Sequence, residues 1–318
     1  MIKLVVRRVL EILVTLFLLT FLTYFFSSKV PGNEAAITCG FSGLKCLHLE
    51  EKVLYLNHPF FARYFHWLGN LFSGTLGYAA NPTQPLTTLL AHAYPITLEL
   101  VILSQILAVI VSLPLAMWSS LRPNRIFDRM STTVSFAALS LPAFILGPLL
   151  RYFFTVRLSW FPGAAAALPS FGSDPLQNLY VLFLPALTIA VPSIAVYQRL
   201  LRADMIATLE EDFIVMARAK GLTTWHILFR HALRPSTFTL LTVGGVQVGS
   251  LIVGSVIAEQ IFSQPGLGYQ LTAAVAKSDL PTVQIITIIV AVAYIVINRL
   301  IDVLYAVIDP RVRRARTV

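Results

Sequence analysis

Residues Asp212 to Pro235 read DFIVMARAKGLTTWHILFRHALRP. Leu, Ile, Val and Phe crowd the chain on both sides, yet this segment carries Arg218, Lys220, Arg230 and Arg234. Asp212 is placed to cap a short helix by accepting a bond from an otherwise unpaired backbone N–H. That helix is expected to run to about Lys220, where Gly221 supplies the left-handed turn that ends it. Thr223 or Thr224 then caps a second helix through Trp225, Ile227, Leu228 and Leu233, closed off near Pro235. The expected product is a stiff helix–glycine–helix elbow whose backbone another protein's surface can approach closely at Gly221.

The surroundings of the elbow place it on a membrane protein. Of the 318 residues, 57% are hydrophobic and 12% charged, whereas soluble domains average roughly 25% charged. A net charge of +9 suggests nucleic acid in a soluble chain. In a membrane protein, basic loops beside anionic lipid account for it. Apolar windows long enough to span occur at 9–28, 96–118, 131–154, 179–198, 239–260 and 283–306. They predict an all-α membrane protein of six transmembrane helices with both termini on one side. Of the 24 Lys and Arg residues, 17 fall on the side of the termini and the elbow. The positive-inside rule then gives an N-in, C-in topology with the elbow in the cytoplasm. Lys3, Arg7 and Arg8 before the first apolar run imitate a secretory signal, but no small-residue cleavage site follows promptly, so residues 1–28 are read as a tail and a retained first span.

Residues 29–95 are then an extracytoplasmic segment, long enough to carry its own structure. Phe60 to Leu68 is an aromatic amphipathic stretch suited to a membrane interface. The two cysteines, Cys39 and Cys46, lie in this segment. On an oxidising side they are spaced for a disulfide closing a small ring; two free thiols are the alternative. Residues 96–318 hold the other five spans, with the elbow at 212–235. Pro142 and Pro148 fall in the third window and Pro185 and Pro192 in the fourth, each a potential kink. The fifth contains GGVQVGSLIVG, with Gly245 and Gly249 four apart and Ser250 and Gly254 likewise. Small residues at that spacing let helices approach closely in lipid. The contact is either within the chain or a seam against a partner or a pathway. Gln247 either lines a route for a polar solute or bonds between helices. Glu99 sits near a span end, from which it can reach the interface. Glu259 lies near the outer end of the fifth span.

The chain contains no Gly-Lys pair, and so no phosphate-cradling GxxxxGK[ST] loop; HExxH and GxSxG are absent too. The residues offer no visible means of using ATP or breaking a bond, and no catalytic or metal-ligating set.

Ala217-Arg218-Ala219-Lys220-Gly221 followed by Arg230-His231-Ala232-Leu233-Arg234 resembles the EAA loop of ABC-importer permeases, in particular the B-type subunits of the oligopeptide, dipeptide and nickel family. Glu259-Gln260-Ile261-Phe262 with Pro265-Gly266-Leu267-Gly268 is similar to that family's fifth-to-sixth span junction. Asp302-Val303-Leu304-Tyr305 with Asp309-Pro310-Arg311-Val312-Arg313 resembles its C-terminal end. The general pattern opens Glu-Ala-Ala six residues before its glycine; here those positions read Val215-Met216-Ala217, so no acidic contact is carried over. The resemblance implies a type I importer permease fold in a bacterial inner membrane. It implies a second, related permease, two cytoplasmic ATPase subunits that use ATP and Mg, and an extracytoplasmic solute-binding protein. This chain itself is then a non-catalytic subunit that binds no cofactor. The coupling surface would be Ala217, Arg218, Ala219, Lys220 and Gly221, continued by Leu222, Thr223, Thr224 and Trp225. Peptides are the implied cargo; similar permeases serve nickel chelates, haem and glutathione. A stand-alone secondary carrier is the competing class, and it calls for ionisable residues deep in the spans, which the sequence does not offer.

Overall fold

The computed structural model describes residues 2–29, 57–80, 83–163 and 168–308. Cys39 and Cys46, and with them the question of a disulfide, lie outside these residues. So does the side chain of Asp302. The described chain is mainly helix, and it sorts into two compact units.

The first unit comprises residues 1–96 and 265–295. Its helix α1 (Ile2–Lys29) and amphipathic α2 (Phe60–Phe72) are joined by aromatic rings. Phe21 meets Phe60 edge-on at 5.8 Å and Tyr64 at 5.5 Å, and Tyr24 lies 5.2 Å from Trp67. Edge-to-face pairs add about 0.5–1.5 kcal/mol each beyond their burial. Tyr64 is fully buried in this cluster, its hydroxyl hydrogen-bonded to Thr20 Oγ1 at 3.0 Å. The aromatic stretch of the sequence is therefore a helix with one ring face on α1. Phe65 and Phe72 remain exposed, as does much of Phe61, whose ring stacks on Phe21 of α1 at 6.5 Å.

A short antiparallel ribbon follows, β1 (Tyr78–Ala80) with β2 (Thr83–Pro85), pairing Ala79 with Gln84. The helical reading of the sequence did not contain it. Ala79 and the first turns of α3 (Leu86–Leu121) pack with Leu267, Ile285 and Ile286 of later helices.

The second unit comprises residues 97–264 and 296–318. After α3 come α4 (Ile126–Ser140) and α5 (Ala143–Arg151), the latter prolonged by a π turn, Tyr152–Arg157. The pair bends by 105° at Leu141-Pro142. The sequence led us to expect a kink here, and the bend is sharper because Leu141, directly before a proline, is held extended at φ −92°, ψ 110°. Helix α6 (Pro175–Leu209) is capped by Asp174, which accepts from Gln177 N–H at 3.1 Å, and it continues through Pro185 and Pro192. The chain then forms α7 (Asp212–Ala219) and α8 (Thr224–Phe262); α9 (Leu267–Ala276) and the start of α10 (Leu280–Ile308) belong to the first unit, and α10 from Val296 on to the second.

Helix α8 packs chiefly on α6, through a core that includes Ala190, Tyr197, Leu201 and Leu240. By length and apolarity, five described helices suffice to cross a membrane, and a sixth if the bent α4–α5 pair counts as one span. Helix limits outrun the hydropathy windows: α3 starts ten residues before its window, because helical hydrogen bonding does not stop where apolar sequence does.

Candidate functional site

The elbow is α7, a glycine turn and the start of α8. Its first helix begins one residue from where the sequence suggested. Glu211 occupies the cap position without a side-chain bond, and Asp212 is the first helical residue, its carboxylate in the first turn beside the positive end of the helix dipole. The helix ends at Ala219. Gly221 has φ +79°, its N–H bonds to Arg218 C=O at 2.9 Å, and Leu222 N–H reaches Ala217 C=O at 3.2 Å. These two bonds are the Schellman pattern that terminates helices on a left-handed residue. Thr223 caps the next helix, its Oγ1 accepting from His226 N–H at 3.4 Å.

Pro235 does not close that helix. The chain widens into a π turn, Ile227–Ala232, and continues unbroken to Phe262. Proline lacks an N–H and its ring crowds the carbonyl four residues back, here His231. The wider i→i+5 turn lies over those residues, so the helix passes the proline instead of stopping at it.

Burial divides the elbow into two faces. Ile214, Ala217 and Ile227 are buried together, with Leu209 of α6 against them. On the other face Phe213, Met216, Leu222, Trp225 and Phe229 are exposed, and the Trp225 and Phe229 rings stack at 6.0 Å. Arg218, Lys220, Arg230 and Arg234 are exposed among them, as are Ala219, Gly221, Thr223 and Thr224. Of the nine residues expected to form a coupling surface, Ala217 alone faces inward. Exposed apolar side chains interspersed along the chain with exposed cations are the kind of surface that proteins use to bind one another.

The small residues of α8 are resolved mainly as packing within the chain. A Cβ on Gly245 would lie 2.5 Å from Ile301 Cγ2, and one on Gly254 would lie 3.2 Å from Ile189 Cγ2. Gly249 is half-buried and Ser250 exposed. Gln247 is half-buried and donates from Nε2 to Ser193 Oγ at 3.4 Å, the interhelical bond that was one of its two readings.

Other polar contacts were not anticipated. Glu99 does not simply reach for the interface; its Oε2 accepts from Asn178 Nδ2 at 2.9 Å. Glu259 is fully buried and accepts from Thr97 Oγ1 at 2.7 Å. Arg151 Nη1 donates to Ile261 C=O at 2.6 Å near the C-terminal end of α8, a favourable place for a cation. Asp128 on α4 is buried and takes a two-pronged contact from Arg202 on α6, through Nε to Oδ1 and through Nη2 to Oδ2, while Asn124 N–H donates to Oδ2 at 2.8 Å. The sequence did hold one signal for this pair, since Asp128 is the single acid in the loop of Arg122, Arg125 and Arg129.

Residues 112–314 match the family described as binding-protein-dependent transport system inner membrane component, and residues 1–101 match its N-terminal membrane component. The chain belongs to this family. Among curated proteins it is 33% identical to the glutathione transport system permease protein GsiC of Escherichia coli strain K12, over 314 residues that cover 98% of this chain and 99% of that one. The same protein from Shigella dysenteriae serotype 1 matches to the same extent. Among solved structures, an inward-facing crystal form of the MetNI methionine ABC transporter aligns with a TM-score of 0.56 at 15% identity, covering 71% of this chain and 99% of that chain. A second crystal form of that transporter aligns with a TM-score of 0.55 at 16% identity. At such identity the likeness is one of fold. The chain is thus a multi-pass inner-membrane permease with the fold of an ABC importer, as its elbow and span-junction motifs suggested.

Proposed function

We propose that this permease forms half of a translocation pathway for peptides and takes its driving force at the elbow from a cytoplasmic ATPase. The observation that carries the reading is the exposure of Met216, Leu222, Trp225 and Phe229 on either side of the Schellman turn at Gly221, with Arg218, Lys220 and Arg230 exposed among them in the chain. In this reading the first span (1–28) and the extracytoplasmic segment (29–95) precede a five-span core (96–318). The bent α4–α5 pair counts as one of six spans, and both termini and the elbow face the cytoplasm. The partners are a second, related permease, two ATPase subunits that bind and hydrolyse ATP with Mg, and an extracytoplasmic binding protein. The permease itself binds no nucleotide and breaks no bond. Peptide cargo is supported by the relatives named for glutathione, itself a tripeptide.

The test is reconstitution in liposomes of the permease pair with and without its ATPase subunits and binding protein. The expected result is peptide accumulation that requires ATP and all partners, and that Trp225→Ala with Phe229→Ala abolishes while the permease still inserts. Accumulation by the permease alone would replace the reading with a secondary carrier. Retention of a nickel or haem ligand in place of peptide, by mass spectrometry of the purified assembly, would change the cargo and leave the coupling intact.

A further inference from the structure

The ion pair of Asp128 and Arg202 borders a groove of about 470 Å³ in the second unit. It lies between α4, which contributes Thr132 and Phe136, and α6, which contributes Val196, Arg199, Leu200 and Arg202. Arg202 spends Nε and Nη2 on Asp128. Arg199 is one turn away, exposed, with its guanidinium stacked over the Phe136 ring at 4.4 Å, and it has no acidic partner among the described residues. The groove therefore carries two guanidinium groups against one carboxylate, a net positive charge.

Its position along α6 gives it a polarity. From Pro175 to Gln198 that helix contains no charged residue; Arg199 is the first, and Arg202 the next. Along α6 the lining passes from apolar Val196 to Arg199 and Arg202, with Phe136 of α4 under the Arg199 guanidinium. That gradient matches a phospholipid at the edge of a bilayer, with its phosphate at the arginines and its acyl chain along the apolar wall. Guanidinium also suits phosphate in its own geometry, since its planar fork donates two parallel bonds. The contact with the Phe136 ring restrains Arg199 before any ligand arrives, so less freedom is lost on binding.

We infer that the groove between α4 and α6 binds the headgroup of an anionic phospholipid through Arg199, with Arg202 as a second cation oriented by Asp128. The inference rests on the membrane location of the permease and not on the role proposed for the elbow. Native mass spectrometry of the assembled transporter, taken from membranes of phosphatidylcholine with added phosphatidylglycerol, supplies the test. The wild type should retain phosphatidylglycerol in preference to phosphatidylcholine, and Arg199→Gln should lower its occupancy about tenfold. Arg199→Lys should restore part of it, and Phe136→Leu, which removes the ring and leaves the charge, should weaken it less than Arg199→Gln. Unfolding midpoints of the variants report that the fold persists.

Equal retention of both lipids, or unchanged phosphatidylglycerol occupancy in Arg199→Gln, would overturn the inference. Displacement of the lipid by millimolar inorganic phosphate would show a free-anion site instead. Loss of uptake in Arg199→Gln with lipid occupancy intact would assign the arginine to the transport route, also against the inference. Loss of lipid with ATP-dependent uptake intact supports it, and is distinguishable from a failed coupling reading, in which uptake would not need ATP at all.

Discussion

Replacing Gly221 by alanine, valine and asparagine separates two ways in which that glycine can matter. Its φ of +79° lies where residues with a Cβ rarely go. A Cβ built there meets no atom within 4 Å, so nothing in the permease itself is short of space. The whole cost of Gly221→Ala within this chain is therefore backbone strain, about 1–2 kcal/mol for an L-residue in the left-handed region. That is a factor of roughly 5–30 in how often the turn closes. An open turn loses the bonds Gly221 N–H to Arg218 C=O and Leu222 N–H to Ala217 C=O, and with them the placement of Leu222 and Trp225. Initial rates of ATP-driven uptake by the reconstituted transporter should fall for Gly221→Ala by up to about thirtyfold, the limit reached when the open turn dominates, and at least as far for Gly221→Val, because β-branching fits this region worst. Gly221→Asn should stay within about twofold of wild type, since asparagine visits the left-handed region with its side chain bonded locally. If asparagine proves as damaging as alanine, the strain argument is refuted. The loss would then come from a partner pressing on the position, not from the turn.

Further substitutions at three contacts test the packing that holds the second unit. Gly245→Leu should lower stability by about 1–3 kcal/mol through its clash with Ile301, and Ile301→Ala should return part of that loss; unfolding midpoints in detergent of the single and double variants measure the coupling. Thr97→Val removes the donor 2.7 Å from fully buried Glu259 and should cost about 1–3 kcal/mol, read by the same melt. Arg202→Gln should cost about 1.5–3 kcal/mol by breaking the contact with Asp128. Arg202→Lys should recover only part of it, because a single ammonium cannot reproduce the two-pronged geometry; equal stability of the lysine variant and wild type would count against that geometry.

How much of this was legible in the sequence follows the range of the interaction concerned. The Schellman turn at Gly221 and the Thr223 cap were readable because both are closed by bonds within six residues, and the residue types that satisfy such bonds are few. The elbow's inward face was not marked out: Ala217 was grouped with its exposed neighbours, although Ile214 and Ala217, three apart, form one face of α7. Pro235 was read as a stop because proline breaks an α-helix. A π turn escapes that rule, and nothing in ILFRHA announces it. Contacts between Asp128 and Arg202, 74 residues apart, and between Thr97 and Glu259, 162 apart, depend on which helices become neighbours. A single sequence sets the apolar faces of its helices but not their pairing. For the same reason Gly245 showed that some surface comes close without showing that it is Ile301.

The continuity of α8 past Pro235 changes what an elbow can do. Helix α7 has eight residues, too few to be stable in isolation, so its position is set by the burial of Ile214 and Ala217 against Ile227 and Leu209. Ile227 belongs to the same helix that reaches Phe262. Had that helix ended near Pro235, a push on Trp225 would be taken up by a loop within about three turns. As one helix of 39 residues, at about 1.5 Å per residue, it spans roughly 58 Å. Its far end holds Glu259 bonded to Thr97 and Ile261 C=O bonded to Arg151. Under the proposed function, a displacement at the elbow would be carried along this one helix to polar contacts at the opposite end of the same unit. If an ATPase drives the elbow, as proposed, those contacts are where its stroke must be felt. Both are charge-assisted and the Glu259–Thr97 bond is buried, so they resist gradual sliding and favour two discrete arrangements over a continuum.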